Sequence, residues 1–148
     1  MSGTAALYDW MGCSGMASGG PVVNVGAPWA AGSTPIYTDQ IVDPYGTGIP
    51  ASAFSALTLS IVDTLSGTVI NNVNQTNILN TGRGSIDSAG NLTISLEAGD
   101  TSLSELPSAA QVQRSLIIDW TYSVSGSQPS AGTGRHQVNF VIVALAGA

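Results

Sequence analysis

Alternating apolar and polar residues predict a series of short β-strands after residue 35. Leu57, Leu59 and Ile61 are separated by single hydroxyl residues. Successive side chains of a strand point to opposite faces, so we expect the three apolar residues to face a core and Thr58 and Ser60 to face outward. The same alternation recurs in three later stretches: residues 92–96, 116–124 and 138–142.

Turn-forming residues separate these strands. A first strand at 36–42 is followed by Asp-Pro-Tyr-Gly at 43–46, which is a strong turn signal. The Ser66-Gly67 pair predicts a hairpin in which residues 68–70 return along 57–63. Further predictions are a loop with a short strand over 71–80, a brief strand at 84–87, a turn at 88–91, a short helical turn near 100–106, a loop over 125–134 and a final strand at 136–145.

About seven short strands with turns between them indicate an all-β fold, a single immunoglobulin-like β-sandwich. A small barrel is the competing architecture. We expect this domain to cover residues 35–148. Cys13 is the only cysteine, so the sandwich lacks the disulfide of antibody domains. On the longest strand, Asp119 is expected to face solvent and to pair with Arg114 or Arg135.

Residues 1–34 differ from the rest, and we expect them to form an extended, glycine-rich N-terminal docking arm. Seven glycines fall in this stretch, and Asp9 is its only charged residue. Disordered tails are usually poor in aromatic residues and rich in charge, whereas this one carries large apolar side chains. Aromatic residues and methionine are enriched at interface cores. We therefore predict five contacts to another subunit: Tyr8, Trp10, Met11, Met16 and Trp29.

A second interpretation concerns only residues 21–34. In it, Val22–Val25 is simply a first strand, and Trp29 belongs to the core of its own chain. This interpretation leaves the docking role of residues 1–20 unchanged.

The sequence contains no catalytic or ligand-binding motif that can be assigned. Ser14 lies in Gly12-Cys13-Ser14-Gly15, which is not a G-x-S-x-G motif, and the only histidine is His136. Zinc needs three or four ligands, and Asp87–Asn91 departs from the EF-hand pattern, so a turn explains it better. We expect a non-enzymatic protein without a catalytic residue, cofactor or metal site. Four aspartates at or near strand ends leave open a cation held between loops: Asp39, Asp43, Asp63 and Asp100.

Charge is scarce along the chain. Charged residues make up 8% of the 148 residues, none is lysine, and the net charge is -6. Neutralising phosphate requires clustered Lys or Arg, so we expect neither nucleic acid nor a membrane surface as a partner. Residues 1–20 lack the basic and apolar regions of a signal peptide. A surface this poor in charge is typical of a chain that works inside an assembly.

Four stretches together resemble the small immunoglobulin-like sandwich proteins of tailed bacteriophage virions: Asp63–Val69, Asp87–Leu96, Leu116–Tyr122 and Val138–Val143. In that group, two aspartate–glycine hairpins precede a tryptophan-bearing strand and a final V-x-F-x-V strand. The resemblance implies a structural protein of the capsid surface, the neck or the tail. Its partners would be other virion proteins, arranged as a homo-oligomer or symmetric array. Its location would be the virion, after synthesis in the host cytoplasm without a signal peptide.

A carbohydrate-binding or adhesive module at a phage or bacterial surface is the alternative. Trp and Tyr would then serve as stacking platforms for sugars, and the aspartate loops would hold cations. This alternative predicts that exposed aromatic residues cluster on the sandwich rather than on the arm.

Overall fold

Two β-sheets pack face to face and form a β-sandwich, which confirms the all-β prediction. The computed structural model describes residues 6–8, 22–103, 111–126 and 129–144. Short 3-10 turns occur at Ala51–Ala53 and Ala98–Asp100. The second of these turns lies slightly before the helical turn that the sequence predicts near residues 100–106.

In chain order, the described strands are β1 (Ala6–Tyr8), β2 (Val22–Asn24), β3 (Trp29–Ala30), β4 (Ile36–Val42), β5 (Phe54–Asp63), β6 (Thr76–Asn77), β7 (Gly84–Ile86), β8 (Asn91–Ser95), β9 (Gln111–Val124) and β10 (Ser130–Val143). The first sheet has the order β1-β4-β8-β7. The second has the order β2-β10-β9-β5-β6, and β3 also pairs with β10. Among the described residues from 36 onward there are seven strands, β4 to β10, as the turn spacing indicates.

The core lies between the two sheets and is built from the predicted apolar faces. Leu57, Leu59 and Ile61 on β5 are fully buried. The inward residues of β8, β9 and β10 are buried with them: Leu92, Ile94, Leu116, Ile118, Trp120, Tyr122, Val138, Phe140 and Ile142. Burying a side chain of this size contributes roughly 1.5–3 kcal/mol, so this layer is the main source of stability.

The largest core side chain, Trp120, requires a glycine on the neighbouring strand. Gly134 is its direct partner in the β9–β10 register. A Cβ atom at position 134 would lie 2.4 Å from two carbons of the indole ring. The ring therefore lies against the β10 backbone at a position where the strand carries no side chain.

The final strand begins earlier than the sequence predicts. A loop is expected over 125–134, but β10 starts at Ser130, which lies opposite Val124 of β9. Main-chain pairing requires no apolar side chain, so small residues can extend a hairpin that the apolar pattern of the sequence does not reveal. The loop prediction is wrong for residues 130–134.

The predicted hairpin after β5 is formed only in part. Gly67 turns the chain with a φ of 77°, but the returning segment makes a single bridge, between Val62 and Val69. Asn71 and Asn72 then adopt φ values of 56° and 59° and interrupt the ladder, although the Val73 carbonyl still accepts from the Ile61 N–H of β5 at 2.9 Å. The strand that pairs with β5 on this side is instead β6.

No helix in the described part of the chain has the length and apolar character needed to cross a membrane.

Replacing Gly134 by alanine should destabilise the fold by about 1–3 kcal/mol, because the new methyl group overlaps the buried Trp120 ring. Urea unfolding followed by tryptophan fluorescence measures this change. Gly26→Ala is the matched control, since nothing lies within 4 Å of its Cβ position. Equal stability of the two variants would contradict the packing described for Trp120.

Candidate functional site

Residues before position 35 supply strands to an edge of each sheet. β1 lies parallel to β4, with Ala6 opposite Gln40 and Tyr8 opposite Val42. β2 lies parallel to β10 in the other sheet, and β3 pairs farther along the same strand. The edges beside β4 and β10 are therefore covered by main-chain pairing with the N-terminal part of the chain.

The five predicted contact residues fall in different places. Tyr8 is the last residue of β1. Trp29 is only 7% exposed, and its ring centroid lies 4.6 Å from that of Phe140 in the core. This is the position that the second interpretation of residues 21–34 gives it. The remaining three lie outside the described residues, where their role stays a prediction: Trp10, Met11 and Met16.

A buried acid, Asp100, gathers hydrogen bonds from distant parts of the chain. Its carboxylate is fully buried and accepts from Asn71 Nδ2 at 3.0 Å and from the Glu97 backbone N–H at 2.7 Å. Arg83 forms an ion pair with the same carboxylate and also reaches Glu97 Oε1 at 3.0 Å. We call these four residues, together with Arg114, the Asp100 cluster.

Arg114 joins the Asp100 cluster to the long strand β9. Its side chain is buried, and its Nη1 donates to the Asp100 carbonyl at 2.7 Å. Its Nη2 donates to the Ser102 carbonyl at 2.5 Å. The Thr101 hydroxyl donates to the Ser33 carbonyl at 2.7 Å, just before β4. The segment 97–102 thus links the second sheet to the entry of the first.

A second buried acid lies on the inner face of β4. Asp39 is 5% exposed and accepts from the Tyr37 hydroxyl at 2.6 Å and from the Gln40 N–H at 2.8 Å. Burial raises the pKa of Asp39 to about 6, although both hydrogen bonds act in the opposite direction. Burial and the adjacent carboxylate also raise the pKa of Tyr37. Asp39 lies inside β4 and points to the core, so it does not belong to a loop.

Three other aspartates hold turns through their own side chains. Asp87 Oδ1 accepts from the N–H groups of Ala89 and Asn91 at 2.8 Å and 2.9 Å, so Asp87–Asn91 is a turn, as expected. A bond from the Asn91 side chain to Oδ2 at 2.9 Å, together with these backbone bonds, lowers the pKa of Asp87. Asp43 and Asp63 accept backbone N–H groups in the same way. Nowhere in the described residues do three His, Cys, Asp or Glu side chains form a group that could hold a metal ion.

The outer face of the second sheet carries hydrogen bonds from strand to strand. The Thr64 and Ser115 hydroxyls lie 2.8 Å apart, and Ser115 donates to Asn139 Oδ1 at 2.7 Å. Asn139 in turn donates to Asn24 Oδ1 of β2 at 3.2 Å. This row of uncharged groups ties β2 to the sheet through side chains as well as through the backbone.

A shallow groove of about 340 Å³ lies on the same outer face. Its charged wall is an ion pair in which Arg135 Nε donates to Asp119 Oδ1 at 2.6 Å, so Arg135 is the partner of Asp119. The rest of the lining includes Trp120 and three hydroxyl residues, Thr58, Thr121 and Thr133.

The only histidine lies on the inner face of β10. His136 is fully buried between the sheets, which is a position typical of a core residue. Cys13 and Ser14, which form no assignable nucleophile motif, lie outside the described residues.

Comparison with known proteins assigns no family to this chain. No known protein family model matches the sequence, and the search of curated proteins gives no match. The function is therefore inferred from the residues and the geometry.

The sequence shows where the acids lie along the chain but not what surrounds them. The alternation Tyr37-x-Asp39-x-Ile41 places Asp39 on the apolar face of its strand, and this signal is legible in the sequence. The Asp100 cluster has no such local signal, because its partners Asn71 and Arg83 lie 29 and 17 residues away.

Replacing Asp100 by asparagine should destabilise the protein by about 3–5 kcal/mol, because it removes the buried carboxylate of this ion pair and leaves Arg83 only the exposed Glu97 carboxylate. Asp119→Asn is the matched control. It breaks an ion pair whose side chains are 27% and 53% exposed, so it should cost at most about 1 kcal/mol. Chemical denaturation measures the free energy of unfolding of both variants. Equal losses of stability in the two variants would contradict the conclusion that the buried Asp100 ion pair matters more than the exposed Asp119 pair.

The stability of the protein should depend on pH through Asp39. Its pKa is 3.8 when unperturbed and about 6 in the folded chain. Between these pH values Asp39 is protonated in the folded state and ionised in the unfolded state. The contribution of Asp39 to the free energy of unfolding is therefore largest below about pH 4 and is lost as the pH rises to about 6. The total loss is about 3 kcal/mol at most.

Asp39→Asn keeps an oxygen that can accept from Tyr37 but does not titrate. The variant should therefore gain stability relative to the natural protein as the pH rises from 4 to 7. Unfolding free energies measured across this range test the expectation, and a difference that does not change with pH would refute it.

Proposed function

We propose that this chain is a non-enzymatic structural protein of a tailed-phage virion. In this proposal the β-sandwich is a rigid body, and the N-terminal arm docks it on a neighbouring capsid, neck or tail subunit. The observation that carries the proposal is the placement of β1, which adds a parallel strand to the edge of the first sheet.

Strand addition to a sheet edge is a common way for one protein to bind another. The main-chain hydrogen bonds supply affinity, and alternate side chains supply specificity. The arm of this chain is suited to that role because it pairs through its backbone and carries a single charge before residue 35. The resemblance of the sandwich sequence to phage virion proteins supports the same setting.

The body is suited to a structural role through its internal links. Asp100 and Arg114 connect the segment between β8 and β9 to the rest of the sandwich. The hydrogen-bonded row from Thr64 to Asn24 fixes the outer face. These links hold the strands and the segment before β9 in one arrangement, as the proposed rigid body requires.

The carbohydrate-binding alternative has the groove beside Asp119 and Arg135 in its favour, since hydroxyl groups and charges of this kind bind sugars. It also requires exposed aromatic platforms. Among the aromatic side chains that the structure describes, Tyr45 alone is exposed, whereas Trp29 and Trp120 are buried. The structural role is therefore the better supported proposal, and binding of the isolated protein on a glycan array would reverse that order.

A chain without residues 1–20 should fold but fail to join virus particles when it replaces the full chain in a particle-producing host. It should fold because β1 pairs only three residues with β4, while β2, β3 and the buried Trp29 remain. Quantitative mass spectrometry of purified particles measures incorporation, and cooperative thermal unfolding checks the fold.

A chain lacking only residues 1–5 is the control for this experiment. It keeps β1 and all five predicted contact residues, so it should join particles as the full chain does. Full occupancy by the chain lacking residues 1–20 would sink the proposed docking role.

A further inference from the structure

We propose that β1 is exchanged between copies of this protein, so that Ala6–Tyr8 of one copy pairs with β4 of the next. This inference rests on the proposed docking function and names its partner, a second copy of the same chain, and its docking surface, the edge of β4. Three features support the exchange: the register of β1, the fixed position of β2 and the length of chain between them.

The acceptor is the outer edge of β4 at Gln40–Val42. The opposite side of β4 is already occupied, because the Ile41 N–H donates to Gly90 at 2.9 Å and the Ile41 carbonyl accepts from Ile49 at 2.9 Å. β8 pairs with residues 36–40 on that same side. The N–H and C=O groups on the outer edge thus have β1 as their strand partner, with Ala6 opposite Gln40 and Tyr8 opposite Val42.

The occupant is defined because the edge is complementary to this chain's own sequence. An identical strand from a second copy would make every contact that β1 makes with its own β4. Exchange of an element between identical chains therefore costs little, and it is an established route to oligomers. A strand from an unrelated protein would need side chains of its own that fit the β4 edge.

The pairing of β2 also determines which residues cannot be exchanged. Val22–Asn24 pair with Gln137–Asn139, and the Val25 N–H donates to the Asn139 carbonyl at 2.9 Å. Trp29 is buried in the core of its own chain. From residue 22 onward the chain therefore belongs to its own sandwich, and only the part before residue 22 is available for exchange.

The connection between β1 and β2 is long enough for either arrangement. β1 ends beside Val42, close to the start of β10, because Ser130 Oγ lies 3.4 Å from Asp43 Oδ2. β2 starts beside Gln137. The direct path within one chain is then roughly 25 Å, from about 3.3 Å per residue along β10 and about 10 Å between the sheets.

Residues 9–21 can span up to roughly 45 Å when extended. This is roughly 20 Å more than the path within one chain, so β1 can pair with a second copy whose β4 edge lies within roughly 45 Å of the start of β2. Reciprocal exchange would give a two-fold dimer, and exchange in one direction would give a ring or an open array.

Disulfide cross-linking between singly substituted chains tests the exchange. In a Cys13→Ser background, one protein carries Ala6→Cys and the other carries Gln40→Cys. Neighbouring strands lie about 4.8 Å apart, within the roughly 4.4–6.8 Å between Cα atoms that a disulfide spans. The two proteins are unfolded together, refolded at concentrations up to about 1 mM, where trans pairing competes with pairing in cis, and oxidised mildly.

The expected result is a disulfide between position 6 of one chain and position 40 of another, identified by peptide mass spectrometry. Thr38→Cys is the register control, because it lies two residues earlier on β4, roughly 7 Å from position 40. Its mixture with Ala6→Cys should give at least tenfold less product. A single chain carrying both Ala6→Cys and Gln40→Cys reports whether β1 and β4 pair at all.

Two results would overturn the exchange. In the first, the double variant forms its disulfide only within one chain and the mixture forms none. In the second, the double variant forms no disulfide of either kind.

If exchange fails while a chain without residues 1–20 is still lost from particles, the arm docks on a different protein. If exchange is seen and the truncated chain joins particles normally, the docking function fails and the exchange stands.

Discussion

The constraint on which the rest of this structure depends is the pairing of backbone groups along the edges of two sheets. An uncovered edge presents a row of N–H and C=O groups that will pair with another chain. Here the edges beside β4 and β10 are both covered by strands from the first 30 residues. The N-terminal part of the chain is therefore a component of both sheets.

The sandwich itself is held by two kinds of interaction with different roles. Apolar burial between the sheets provides most of the stability, and the contact of Trp120 with Gly134 shows how closely the layers fit. The Asp100 cluster adds specificity, because a buried carboxylate is tolerated only where donors surround it. Arg83, Asn71 and the Glu97 backbone surround Asp100 in this way and fix one path for the chain between the sheets.

Much of the fold is legible in the sequence because strand faces repeat with a period of two. That pattern is enough to place Leu57, Leu59 and Ile61 in the core. It does not extend to β10 at Ser130–Gly134, where small residues pair through the backbone alone. Nor does it reveal the pairing of Ala6 with Gln40 or of Asp100 with Arg83, since long-range partners leave no local periodicity. The distinct character of residues 1–34 is legible in the composition, whereas the sheet edges that their strands cover emerge only from the sheet order.

The central claim is that the strand beside Gln40–Val42 joins one copy of this protein to the next. A cryo-electron microscopy structure of the assembled protein, at a resolution that traces the chain from residue 8 to residue 22, tests it most directly. We predict that the Ala6–Tyr8 strand on each β4 edge continues into the β2 strand of a different copy. Continuous density from that strand into the β2 of the same sandwich, in every copy, would contradict the claim.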